Sequence, residues 1–526
     1  MTNVSVNAAW PDGPAMIESP DKGPSTRLIL LIAGVGILLR LALLLANRSL
    51  WLDEAMLAIA IAGKPFTEIL GPLEYSQIGP LGWLTLEWSL VELLGPTEFA
   101  VRLVPFLLGV AAIPVFHRVA RRLLSRTGVV IAMLLFCISE PLVYYSAEMK
   151  PYSADVLCAL LALWCALRYL QDGYRISDLV GLGVVGAIGL LLSFTSVFVM
   201  GGFFAVVFLV AVKGHRKSIL PIILTGGTYI ALFGLYFLLF LKPNTNASLA
   251  GNMASSGRMA PMPPVSVNDV EWYIDTLFDY FVDPMGFKAI GGVLVARRSR
   301  WLVLLLVAPA LMGLLASMLQ KYPFTTFGAH EHPLRGRYII FSMPMLMLLA
   351  AGGLAWLWGK LRAEFRRLSY LLLVVLLWHP LYRIAYDIKL HPDVGDIRSV
   401  MQELKAQVQP GDVVYHSWFA EAPYRFYRDR FGLKDVPTFG GTRPIVRKFI
   451  EDDAWTRIDD WVNTESLFEP YLNKGRQRIW LVFVHHPSSF GYADEKNLLN
   501  HLRDRGKQLG RFSANNATLT LFELSP

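Results

Sequence analysis

Four short clusters hold the residue types that could do chemistry, and each one borders a long apolar run. The first is Asn47-Arg-Ser-Leu-Trp-Leu-Asp53-Glu54-Ala, two adjacent carboxylates at the head of an apolar helix. An acidic pair beside hydrocarbon is costly unless it is solvated, paired or used. The competing role is capping, because Asp and Glu favour the positive end of a helix. The second cluster, Glu98-Phe-Ala-Val-Arg102-Leu-Val-Pro105, offers a cation at the start of another apolar run. The third is Tyr144-Tyr145-Ser-Ala-Glu148-Met-Lys150-Pro-Tyr152-Ser-Ala-Asp155. Here Lys150 could hold a phosphate, with Tyr145, Glu148 and Tyr152 as further site candidates. Alternatively Lys150 only pairs with Glu148, a contact of little energetic worth if exposed.

The fourth cluster runs from Lys321-Tyr-Pro-Phe through His330-Glu-His332 to Arg335-Gly-Arg337. The planar guanidinium forks of Arg335 and Arg337 match phosphate oxygens, although either arginine could simply anchor a span at the interface. His330 and His332 are weak candidates for metal ligands, since two ligands alone do not define a site. No metal or other cofactor is assigned, and a divalent ion stays compatible with the sequence. Arg40 sits inside an apolar run, seven residues before Asn47, or about two helical turns. A charge there either serves a function or snorkels to the interface.

The elements that position these clusters follow from composition. The chain has 526 residues, 54% hydrophobic and only 17% charged, against about 25% charged in an average soluble protein. A mean hydropathy of +0.43 leaves too little polar surface for several water-soluble domains. Three cysteines exclude a disulfide-dense scaffold. The net charge of +8 does not indicate nucleic acid, because the basic residues are scattered in short groups between apolar runs. The composition is that of a polytopic membrane protein in a lipid bilayer.

A spanning helix needs about 20 mostly apolar residues. Eleven spans are expected, at about 28–46, 101–117, 127–143, 152–170, 179–194, 196–212, 219–241, 284–296, 301–319, 338–358 and 369–387. Residues 1–26 are polar and rich in Pro, Gly and Asp, as in a disordered tail. No basic region precedes the first apolar run, so no cleaved signal peptide is expected. One set of connecting loops holds sixteen Lys and Arg in 37 residues, and the opposite set seven in 116. That bias places the dense set and the N-terminus in the cytoplasm, and the C-terminus outside. The outward loops 48–96, 242–283 and 320–336 are long, and the first carries six acidic residues against two basic ones.

Residues 390–526 are different in kind. A helix-like stretch at 396–408 and strand-like runs at 412–417, 478–485 and 518–523 predict a small extracytoplasmic α/β domain. The fold class expected is therefore mainly α, with a membrane domain over 27–389 followed by that α/β domain. No internal repeat is found, which weakens a transporter built from inverted repeats.

Trp51-Leu-Asp53-Glu54-Ala, then Gly79-Pro-Leu-Gly-Trp83, then Arg102-Leu-Val-Pro105 ahead of Arg121-Arg122 resembles the family-39-type GT-C glycosyltransferases. These include protein O-mannosyltransferases, and aminoarabinose transferases are similar in architecture. The Tyr144–Asp155 and Lys321-Tyr-Pro-Phe segments resemble outward turns of bacterial members of the group, and the likeness covers about 28–390. The resemblance implies transfer of a sugar from a polyprenyl-phosphate carrier to a lipid, glycan or protein acceptor outside the bacterial inner membrane. It also implies that the loop aspartate, here Asp53, is the general base. Glu54 points about 100° away on a helix and is expected to orient Asp53 or touch the acceptor. Lys150, Arg335 and Arg337 are the donor-phosphate candidates, with Arg40 and Arg102 behind them. The rival reading is a transporter or lipid flippase for envelope precursors.

Overall fold

The computed structural model describes residues 26–245, 259–282, 300–324, 336–360, 377–389, 395–440, 468, 470, 477–485 and 490–525. The chain divides into two compact units. Among the described residues, Asn47–Ala62 groups with 395–525 in the second unit, and the rest form the first.

The first unit is helical. Its principal helices are α1 (Thr26–Leu45), α3 (Leu81–Leu94), α4 (Ala100–Leu123), α5 (Arg126–Ile138), α6 (Glu140–Tyr144), α7 (Tyr152–Gln171), α8 (Ile176–Leu192) and α9 (Ser196–Gly214). They continue with α10 (Ile219–Tyr236), α11 (Val267–Val282), α12 (Arg300–Met318) and α13 (Met343–Lys360). Helix α2 (Leu52–Ile61) belongs to the second unit.

Seven described helices are long and apolar enough to cross a membrane, namely α1, α4, α7, α9, Arg216–Asn244 around α10, α12, and Ile340–Lys360 around α13. An eighth arises if α5 and Glu140–Ala147 count as one span bent by 53°. The chain is thus a multi-pass membrane protein. The eleven spans expected from hydropathy are not reached among the described residues. The segment 284–296 and the first part of 369–387 lie outside them, and α8 is apolar but short.

The bend after α5 has a local cause. Pro141 has no N–H, so the carbonyl of Cys137 loses the donor a continuing helix would supply four residues on. Arg40 provides it instead, donating from Nη1 to the Cys137 carbonyl at 3.2 Å and to its own Gly36 carbonyl at 2.9 Å. Gly36 permits this approach of α1 to α5, since a Cβ there would lie 2.7 Å from the Cys137 Cβ. The apolar core runs through Phe116, Phe136, Leu163, Phe203, Leu305 and Phe341. Phe116 and Phe136 stack at 4.2 Å between centroids.

The second unit adds α14 (Ile397–Gln407), β1 (Val413–His416), α15 (Trp418–Arg428), β2 (Thr438–Gly440), β3 (Gln477–Val484), α16 (Phe490–Arg503), β4 (Gly506–Ala514) and β5 (Ala517–Leu524). Strand order is β2-β1-β3-β5-β4, with β1 parallel to β2 and β3, and β5 antiparallel to β3 and β4. The middle strand β3 is buried along 479–484 on both faces, as a central strand must be. Leu498, Leu499 and Leu502 of α16 close one face over Ile479, Leu481 and Phe483. The buried Asp412 takes Arg478 Nε at 2.9 Å and Trp480 Nε1 at 2.8 Å, which ties the start of β1 to β3.

Candidate active site

Asp53 and Glu54 open α2, a ten-residue helix, and the two carboxylates have different environments. Glu54 is fully buried. Its Oε2 accepts the backbone N–H of Trp51 at 3.5 Å, half of a capping box, and its Oε1 lies 3.9 Å from Nη2 of the buried Arg48. Glu54 is therefore held by the helix start and by an ion pair. Asp53, one residue earlier and turned to another face, is half-buried. The capping role that the sequence offered the pair falls to Glu54.

The segment before α2 is anchored within its own unit. Ser49 Oγ donates to Asp396 Oδ1 at 2.8 Å, and Arg398 Nη2 donates to the Asn47 carbonyl at 2.6 Å. The Leu50 N–H donates to the Tyr427 hydroxyl at 3.1 Å. None of Ser49, Asp396, Arg398 or Tyr427 stands out in the sequence. They are ordinary polar residues whose relation appears only in three dimensions.

In the first unit, three of the sequence candidates meet. Arg40, Tyr145 and Tyr152 line one cavity with Gly109, Phe136 and Ser153, and it has room for about one water, about 10 Å³. Tyr145 and Tyr152 make an edge contact at 4.7 Å. The charges of Glu148 and Arg337 both bear on the Tyr145 phenol, so the third and fourth clusters converge as far as Arg337 is concerned. Arg337 is also stacked over Tyr338, with Cζ 4.8 Å from the ring centroid and Nη2 2.8 Å from the hydroxyl. Tyr322 hydrogen-bonds the Tyr338 carbonyl at 2.8 Å. Glu148 is completely buried and Arg102, in the first turn of α4, nearly so.

Lys150 is partly exposed and donates to Gln77 Oε1 at 3.0 Å. Arg40 is 1% exposed, so it does not snorkel. Its bonds go to backbone carbonyls at the α5–α6 break. Arg335, His330 and His332 lie outside the described residues. Among the described residues no three His, Cys, Asp or Glu side chains converge as metal ligands. One residue quoted in the third cluster without a role is Asp155. It is buried in the first turn of α7 and accepts the Ser193 hydroxyl at 2.5 Å.

Other acids of the first outward loop are engaged locally. Lys64 pairs with Glu74 at 3.0 Å and Glu68 at 3.6 Å. The Glu74 hydrogen bond, above all, raises the Lys64 ammonium above its ordinary value.

The apolar helices of the first unit and the five-stranded α/β unit together define a polytopic membrane protein with a GT-C-type fold. In particular, it shares the fold of ArnT from Cupriavidus metallidurans, crystallised bound to undecaprenyl phosphate. The TM-score is 0.55 at 13% identity, over 94% of this chain and 98% of that one. A family model for dolichyl-phosphate-mannose-protein mannosyltransferase matches residues 80–240. The archaeal oligosaccharyltransferase AglB from Archaeoglobus fulgidus, in complex with an inhibitory peptide and a dolichol-phosphate, aligns at a TM-score of 0.44 and 12% identity. That alignment spans 95% of this chain and 74% of AglB. No curated protein matches the sequence. The resemblance to family-39-type GT-C glycosyltransferases read from the motifs is borne out.

Proposed function

We propose that this protein is a membrane glycosyltransferase that moves a sugar from a polyprenyl-phosphate donor to a hydroxyl acceptor, with Asp53 as general base. The observation that carries this reading is the place of Asp53, half-buried in the first turn of α2, a short helix that follows the first apolar span in the chain. The neighbouring Glu54 is fully buried, held by the helix start and by Arg48. The fold shared with ArnT over nearly the whole of both chains supports it.

In the reaction, Asp53 takes the proton of the acceptor hydroxyl as its oxygen attacks the anomeric carbon. The bond from that carbon to the phosphate oxygen breaks, and polyprenyl phosphate departs as an anion. No general acid is needed, because the leaving group is already a stabilised phosphate. Direct displacement inverts the anomeric carbon. Cations must offset charge on the departing phosphate. Of the candidates, Lys150 and Arg337 fit that role better than Arg40, whose described bonds go to carbonyls. Arg102 and Arg335 keep their place as candidates. Glu54 orients α2 rather than exchanging protons. The bacterial inner membrane, with the site on its outer side, is the setting proposed from the basic-residue bias.

The test is turnover of a lipid-linked sugar by purified protein in detergent or vesicles. Asp53→Asn should fold and bind donor but lose transfer. Solute uptake into vesicles without sugar transfer by the parent would favour the transporter reading instead.

A further inference from the structure

We propose that the α/β unit is the positioning device for Asp53, with Tyr427, Asp396 and Arg398 as the positioning residues; this rests on the assignment of Asp53 as base. Helix α2 has ten residues, below the length at which an isolated helix holds its shape in water. The residues before it, 47–51, have no regular structure, and Asn47 adopts φ +46°. Left to itself, such a segment would frays and carry its carboxylate with it.

Instead, three of those five residues are clamped from the far end of the chain. Ser49 is bonded to Asp396, Asn47 to Arg398 and Leu50 to Tyr427. Asp396 does two things at once. It N-caps α14 by accepting the Ser399 N–H at 3.3 Å, and the same Oδ1 receives Ser49. Tyr427 is fully buried on α15, so its hydroxyl is a fixed acceptor. Helix α2 packs along α15, with Ala55, Leu57, Ala58 and Ile61 buried. The clamp therefore ends three residues before Asp53, on the helices of the α/β unit. A general base must lie within hydrogen-bond reach of the proton it takes, and a displacement of about 1 Å can cost about 100-fold in rate.

Tyr427→Phe removes one acceptor and keeps the ring. We expect kcat to fall about 10-fold or more with KM for the polyprenyl-phosphate sugar unchanged, and faster hydrogen exchange of the α2 amides while the β3 amides keep their protection. Asp396→Ala should behave likewise, and Asp396→Asn, which keeps an accepting oxygen for Ser49, should recover most of the turnover. On an Asp53→Asn background, Tyr427→Phe should cost nothing more in residual single-turnover rate. Parental kcat and parental α2 exchange in Tyr427→Phe, or a loss that multiplies fully with that of Asp53→Asn, would overturn the positioning role and leave the base intact. Parental turnover by Asp53→Asn alone would instead remove the base on which the inference rests.

Discussion

The Ser49 hydroxyl donates to the Asp396 carboxylate at 2.8 Å across 347 residues of sequence. One end of this pair immediately follows the first spanning helix, and the other caps the first helix of the C-terminal α/β unit. The bond explains why Asn47–Ala62 belongs structurally with a domain it precedes by more than three hundred residues. It also gives that domain a task within the proposed reaction.

Arg40 should matter for stability rather than for donor affinity. Arg40→Leu leaves the Cys137 carbonyl without its donor at a helix break. Leaving a buried acceptor unsatisfied costs about 1–3 kcal/mol. Thermal unfolding in detergent should show the loss, with KM for the lipid-linked donor unchanged in the protein that remains folded. A raised KM at parental stability would return Arg40 to the phosphate site.

Lys150→Met tests the donor-phosphate assignment in the opposite sense. The side chain is partly exposed, with Gln77 as its described hydrogen-bond partner, so the fold should tolerate the change. A charged hydrogen bond of about 1.5–3 kcal/mol corresponds to a KM for donor about 10- to 150-fold higher. An unchanged KM would leave Lys150 as a surface contact to Gln77.

The spans were legible because length and apolarity are one-dimensional properties, as the fit of 152–170 to α7 and of 301–319 to α12 shows. The sequence reads 127–143 as one span because hydropathy does not register a missing N–H at Pro141, and the structure bends there. In the α/β unit, β1, β3 and β5 announce themselves by dense apolar runs. By contrast, β4 is an edge strand of mostly polar, partly exposed residues, and β2 has only three residues. The place of Asp53 at the head of a short helix was legible from its setting next to a span. Tyr427 and Asp396 were not, because a polar contact spanning several hundred residues leaves no local pattern.

The α/β unit carries its own pH signature. Glu495 is buried, which alone would raise its carboxyl. Hydrogen bonds from His485 and Thr518 and the charge of Arg511 outweigh burial and hold it below the ordinary carboxylate range. His485 Nε2 lies 3.1 Å from one oxygen, and Arg511 Nη2 2.9 Å from the other. A depressed folded pKa favours the native state above the unfolded value of about 4.3 and loses that advantage as pH falls through the folded value. Unfolding temperatures measured from pH 6 down to about pH 3 should therefore drop more steeply for the parent than for Glu495→Gln. Parallel curves would mean that the cluster contributes no acid-side stability.

Asp53 is the residue on which the account turns, and single-turnover transfer from a polyprenyl-phosphate sugar by purified Asp53→Asn protein tests it most directly. Loss of a general base predicts a rate at least about 100-fold lower, with donor binding and unfolding temperature matching the parent. Transfer at the parental rate by a folded, donor-binding Asp53→Asn protein would contradict it.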